Sequence, residues 1–268
     1  MYLYHSQALA VGGEIRRPIN QVINVPCASS LSTCGGYQSS KMGRYEIDNI
    51  LSFEAASTQV SGSFDAGENA WNSLTTCVVE NFRMLNVVSA RRIVAQFAVR
   101  QFADKPEPEI VPAGTQFDGL RINGALIDVE LDLDHYTKCA TYSSFKQCYE
   151  KDSAKKAQLD RICYWGKNAA NAPEFLKERV GWIKDPKILP ESNGMVVGSL
   201  LKTEVQAPGA TSTGYVVTIP GFGRVYIGEM IITPKSRRLS MLRFEMRCPT
   251  EGDVITGGPV EGNGSRYP

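Results

Sequence analysis

Histidine is nearly missing from this chain: His5 and His135 are the only two in 268 residues. That scarcity excludes a histidine-rich metal centre and leaves a Ser–His or Cys–His nucleophile pair few places to find its base. Long hydrophobic runs are missing too, and no stretch approaches the ~18 consecutive apolar residues a membrane-crossing helix needs. The start, Met1 to Gln7, lacks a basic segment followed by an apolar one, so it does not read as a secretory signal, and the default expectation is a cytoplasmic protein. An excess of one charge is also absent, with 29 Lys and Arg against 28 Asp and Glu. No long-range field then steers the chain toward nucleic acid or anionic membrane, and no nucleic-acid partner is expected. The sequence contains no G-x-S-x-G, H-E-x-x-H or phosphate-loop pattern. Gly221-Phe222-Gly223-Arg224 leads into a strand-like Val225-Tyr226-Ile227, which makes it a tight turn rather than a phosphate cradle.

Seven cysteines occur, at 27, 34, 77, 139, 148, 163 and 248, and none are spaced as C-x-x-C. Zinc ribbons and thioredoxin-type motifs are thereby disfavoured. Cys77 and Cys248 sit among apolar residues and read as small core residues. Cys27 and Cys34 flank a Ser/Gly-rich loop and could pair in an oxidising compartment.

What is present is a period of two. Leu242, Phe244, Met246 and Cys248 alternate with Arg243, Glu245 and Arg247, and Ile93, Ala95, Phe97 and Val99 alternate with polar residues in the same way. Each reads as a strand with one buried and one wet face. Further strands are expected over Tyr45 to Val60, Leu74 to Val88, Val196 to Val205, Tyr215 to Ile219 and Arg224 to Ile232. Asn123-Gly124 between Leu120 and Ile127 predicts a hairpin, because both residues accept the positive φ of a type I′ turn. Residues 80–86 resemble 118–124, two units being too few for a solenoid.

From Ser144 to about Trp182 the period changes to that of a helix. Ser144 and Gln147 have capping-box spacing, and Phe145, Cys148 and Tyr149 share a face. Leu159, Ile162 and Cys163 extend an apolar stripe, and a second helix is expected from Pro173 through Phe175, Leu176 and Val180, ended by Pro186 and Pro190. The expected organisation is a β-rich domain over 1–142 and 191–256, a helical insertion at 143–190 packed on the sheet edge, and a C-terminal tail at 257–268. The tail is rich in Gly, Pro and Asn without apolar periodicity, so it reads as a frayed end or an arm that orders on a neighbouring subunit.

The sharpest local feature is Asp128, Glu130, Asp132 and Asp134, interleaved with Ile127, Val129, Leu131 and Leu133. On a strand the four carboxylates would share one face, about 6.8 Å apart along the chain. Each adjacent pair then costs about 0.6 kcal/mol in water and about 2.4 kcal/mol at an effective dielectric of about 20. Such a ladder needs counter-charges. Arg92, Arg100, Arg243 or Arg247 on neighbouring strands could supply them, calcium could bridge adjacent carboxylates, or a cationic partner could dock. A different use of these residues is a site between the sheet and the inserted helices, with Asp132, Asp134 and His135 as acid–base groups of a carboxylate-dependent enzyme or as contacts to a small molecule.

Several strand-and-turn segments resemble the β-rich domains of bacterial "choice-of-anchor P" surface proteins. They are Asn81-Phe82-Arg83-Met84-Leu85-Asn86-Val87-Val88-Ser89-Ala90, Phe117 to Gly124, Ile219-Pro220-Gly221-Phe222-Gly223-Arg224-Val225, Leu239 to Phe244 and Gly252 to Ile255. The resemblance implies a non-catalytic envelope or extracellular module and supplies no catalytic residues. The chain departs from that family in its seven cysteines, its helical insertion and its lack of a recognisable leader or anchor.

The expected fold is mainly β, an antiparallel β-sandwich-like domain with a helical insertion. The expected function is that of a non-enzymatic structural or binding protein that self-associates or meets a protein partner.

Overall fold

The computed structural model describes residues 2–24, 27–162, 173–176 and 195–266. The chain starts one antiparallel sheet, builds a second, makes a helical region and then returns to finish the first. The N-terminal contribution to the first sheet is β1 (Tyr2–Leu9), β2 (Val11–Arg17), β3 (Gln21–Asn24) and β4 (Ala28–Ser30). The second sheet comprises β5 (Gly36–Met42), β6 (Tyr45–Ile47), β7 (Leu51–Phe53), β8 (Ala55–Asp65), β9 (Ala70–Met84), β10 (Val88–Phe102), β11 (Glu109–Val111), β12 (Gln116–Asp118), β13 (Arg121–Ile122) and β14 (Ala125–Leu126). Three helices follow: α1 (Leu133–Lys138), α2 (Tyr142–Lys151) and α3 (Ser153–Ile162). The return is β15 (Val196–Ser199), β16 (Thr211–Thr213), β17 (Val216–Ile219), β18 (Gly223–Ile232), β19 (Ser236–Arg247), β20 (Glu251–Thr256) and β21 (Val260–Arg266).

The long β9–β10 hairpin anchors the second sheet, with β8 and β7 along one side and β11, β12 and β13 along the other. The first sheet runs β16-β17-β18-β19-β20-β2-β3. In this frame the expected mainly β, sandwich-like architecture is present. Along β9, Ser73, Thr75, Cys77 and Val79 are buried while Asn72, Leu74, Thr76 and Val78 are half-buried, and on β10 Ile93, Ala95, Phe97 and Val99 face inward. These inward residues meet Val11, Ile15, Leu242, Phe244 and Val254 of the first sheet in one apolar core. Phe82 and Phe244 stack across it with ring centroids 5.7 Å apart. The Asn123-Gly124 hairpin forms as expected, with φ of 52° and 78° at its two central residues.

Several expectations need correction, four of them about where elements lie. Residues 257–266 are not a frayed tail, because β21 pairs with β1 on one side and with β19 on the other, and the last two residues lie outside the described ones. Its apolar period is hidden by glycines that allow close sheet packing: a Cβ on Gly262 would come 2.5 Å from Val99 Cγ2. Gly257, just before the strand, has φ +59° and would meet Ile93 at 2.4 Å. Second, the helical region begins at Leu133, not at 143. Third, the capping box lies one turn earlier than Ser144 and Gln147: Thr141 is the N-cap and Ser144 the reciprocating N3 residue. The fourth correction, to the acidic ladder, bears on the site and is given below.

Residues 174–176 are helical, as expected, whereas Val180, Pro186, Pro190 and Cys163 lie outside the described residues. The expected strands over Tyr45 to Val60 and Val196 to Val205 are interrupted, the first into β6, β7 and β8 and the second ending at Ser199. Among the described residues no helix is long and apolar enough to cross a membrane. The helical region touches both sheets, since Ile110 N–H of β11 donates to Ala140 O at 3.0 Å and Tyr136 Oη donates to Ser199 O at 2.8 Å.

Candidate functional site

Asp128, Glu130, Asp132 and Asp134 do not form a carboxylate ladder. Residues 127–130 belong to no strand, and the extended segment makes only a single bridge, Leu131 with Leu201, before helix α1 starts. The physical reason is a change of period at Asp132, after which the buried residues are His135, Tyr136 and Cys139, one helical turn on. Helix formation also places Asp134 in a first turn, where the helix dipole favours an anion. The counter-charges are lysines, not the expected arginines. Glu130 pairs with Lys202, and Asp132 with Lys155. Arg92 and Arg100 go instead to Glu80 and Glu68. Among the described residues no group of three or more His, Cys, Asp or Glu side chains comes together as a metal ion would require.

Asp132, Asp134 and His135 do meet in one place. They line an open groove of about 530 Å³ together with Lys138, Cys139, Cys148, Lys151 and Lys155. Asp132 is buried and accepts from Lys155 Nζ and from Gln158 Nε2 at 3.1 Å. His135 is only 7% exposed, edge-on to Tyr136 and Phe145 with ring centroids 5.3 and 5.8 Å away. Burial, reinforced by the Lys155 charge, pushes its pKa down to about 4, so the imidazole is neutral at pH 7. Nδ1 lies 3.8 Å from Cys139 Sγ, and Nε2 is buried without a hydrogen-bond partner. Cys139 is disulfide-bonded to Cys148, tying the end of α1 to α2. Cys27 and Cys34, expected as a possible pair, are both free: Cys27 is buried and Cys34 is exposed.

A second concavity was not legible in the sequence. The β18–β19–β20–β2 register sets Arg224, Glu245, Asp253 and Glu14 in a row across four strands, with Tyr226 and Arg243 in the next row. Arg243, expected on a wet face, is 4% exposed. Its Nε donates to Glu229 Oε2 at 2.9 Å and its Nη1 to Glu245 Oε1 at 2.6 Å. Burial works against the Arg243 charge, but Glu229 and the other acceptors outweigh it and hold the pKa above the ordinary value. Glu245 also receives Tyr226 Oη at 2.8 Å and Arg224 Nη1 at 3.3 Å. Burial opposes the charge of this carboxylate, yet Arg243 keeps its pKa below the usual range. Above this floor opens a cleft of about 560 Å³ whose lining includes Arg247, Phe175, Glu14 and Asp253. Arg16 bridges Glu14 and Asp253 at 2.6 and 2.8 Å.

The family described as Domain of unknown function (DUF8256) matches residues 2–233. The chain belongs to that family. The DUF8256 match ends at Thr233, in the turn before β19, so Arg237, Arg243, Glu245 and Asp253 lie beyond it. No curated protein and no solved structure matches the chain.

Proposed function

We propose that this protein is a non-enzymatic binding module of the cell envelope that self-associates through the arginine–carboxylate face of its first sheet. The observation that carries the reading is the division of that face into a buried, fully paired floor and an open charged rim. Arg243, Glu229 and Glu245 are fixed before any ligand arrives, so the rim needs little ordering to bind. Acid–base catalysis needs two titratable groups whose pKa values are driven apart, with one poised near the working pH. Here Glu245 is held as an anion by Arg243. The rim carries Arg224 and Arg247 toward one end and Glu14 and Asp253 toward the other. Such a row is self-complementary about a two-fold axis, because the basic end of one copy meets the acidic end of the next. The envelope setting draws support from the resemblance to "choice-of-anchor P" proteins and from the Cys139–Cys148 disulfide, a bond that persists in oxidising compartments.

Solution mass by light scattering, at low and at high salt, tests the reading. The expected result is an assembly that weakens with salt, is lost in Arg247→Glu and in Asp253→Arg, and returns in the double charge reversal. A salt-insensitive monomer across a wide concentration range would sink it.

A further inference from the structure

Arg237 is the most completely buried cation among the described residues, at 1% exposure, and no carboxylate pairs with it there. Its guanidinium rests on backbone carbonyls at the end of α1, donating from Nη2 to Cys139 O at 2.7 Å and to Ala140 O at 2.8 Å. A buried charge without a counter-ion is costly and favours any nearby group that can become an anion. The residue whose carbonyl it holds is Cys139, and 3.8 Å from that residue's sulfur stands His135 Nδ1, whose ring has a second nitrogen with no partner. Cys139 is 1% exposed, whereas its bonded partner Cys148 is half-buried and both line the open groove.

We propose that the Cys139–Cys148 disulfide is a thiol–disulfide exchange site for a small aliphatic thiolate entering the groove. The incoming sulfur attacks Cys148 Sγ and forms a mixed disulfide there. The electron pair of the broken S–S bond leaves on Cys139 as a thiolate, with His135 Nδ1 beside the sulfur and the Arg237 charge on the carbonyl of the same residue. A second thiolate then attacks the sulfur of the mixed disulfide that came from the small thiol. The small thiol is released as its own disulfide, Cys148 takes up a proton, and the protein is left with two reduced cysteines for two thiols oxidised. Direction follows from the surroundings: the departing sulfur is the one whose negative charge is best stabilised, and the attacked sulfur is the one a reagent can reach. The charges facing Cys139 and His135 are Asp132, Asp134 and Lys138 from α1 and its cap, and Arg237 from β19. Lys151 closes α2, and Asp152 and Lys155 open α3. Cations outnumber anions by one in that set, which favours the thiolate.

The test uses the full chain with its accessible thiols, Cys34 among them, first blocked by iodoacetamide. Reduced glutathione is then added, and the adduct is mapped by mass spectrometry. The adduct is expected on Cys148, and an adduct on Cys139 overturns the direction of exchange. Two measurements on the fully reduced protein separate exchange from mere cross-linking. The Cys139 thiol, followed by thiolate absorbance, is expected to titrate at least one pH unit below the ordinary value of about 8.5. In wild type the His135 pKa, followed by NMR, is expected to rise on reduction, because a thiolate acceptor replaces a neutral sulfur. Arg237→Met should return the thiol to its ordinary value, and Arg237→Lys should keep most of the shift. If Arg237→Met does not fold, the wild-type His135 comparison decides alone. An ordinary thiol titration together with an unchanged His135 overturns the proposal.

Discussion

Arg243 lies over the ring of Tyr226, its guanidinium carbon 3.3 Å from the centroid, while Glu229 takes two of its donors from behind. This stack is what turns one strand face from wet to buried. Arg243→Met takes away the cation that donates twice to Glu229, a carboxylate only 4% exposed. Loss of one partner of a buried pair costs about 3–5 kcal/mol, and urea denaturation should show a decrease of that size. Adding Glu229→Leu should recover much of it, since two apolar side chains satisfy a dry site better than a buried carboxylate that has lost its cation. A double variant as unstable as the single one would show that the cost lies in lost packing against Tyr226.

The buried His135 sets a pH window. Its pKa falls from 6.5 to about 4 on folding, so below pH 6.5 the unfolded chain takes up a proton that the folded chain refuses. Stability is therefore complete above pH 6.5, declines between about 6.5 and 4, and levels off below. At about 1.4 kcal/mol per unit the decline is on the order of 3 kcal/mol. Denaturation midpoints measured from pH 7.5 to 4 check this. His135→Phe should flatten the decline, since Phe keeps the aromatic contacts and cannot titrate.

The sandwich was readable because alternation over β9, β10, β18 and β19 is long, and a period of two needs only one buried face. The Asn123-Gly124 hairpin was readable because its two residues carry their own backbone preference. The acidic stretch misled for an equally physical reason. From Ile127 to Leu133 strict alternation fits a strand, and the evidence for helix lies only in Tyr136 and Cys139 beyond it. The arginine–carboxylate floor lay out of reach, because Glu229, Arg243 and Tyr226 become neighbours only through strand register. Glycines in β21 erased the signal of a strand that is central to its sheet.

Cys139 and Cys148 are nine residues apart and join α1 to α2. For a loop of that size the entropy of the unfolded chain accounts for about 2 to 3 kcal/mol. Replacing both cysteines by alanine should lower stability by about that amount, read by urea denaturation of oxidised wild type against the variant. A loss below about 0.5 kcal/mol would mean that Tyr136 and Phe145, stacked at 5.8 Å, hold the two helices together unaided.

The C-terminal strand gives the last expectation. Because β21 sits between β1 and β19, ending the chain at Thr256 removes a ladder on both sides. Two strand edges lose their partners, and Val260, which is fully buried, leaves the core. A truncated protein should be insoluble or molten, with amide protection lost along β1 and the first half of β19. An arm belonging to a neighbouring subunit predicts the opposite: a stable, well-folded monomer of smaller assembly size. Circular dichroism and light scattering on the truncated chain distinguish the two. A folded monomer would count against a strand that completes its own chain's sheet and favour the arm.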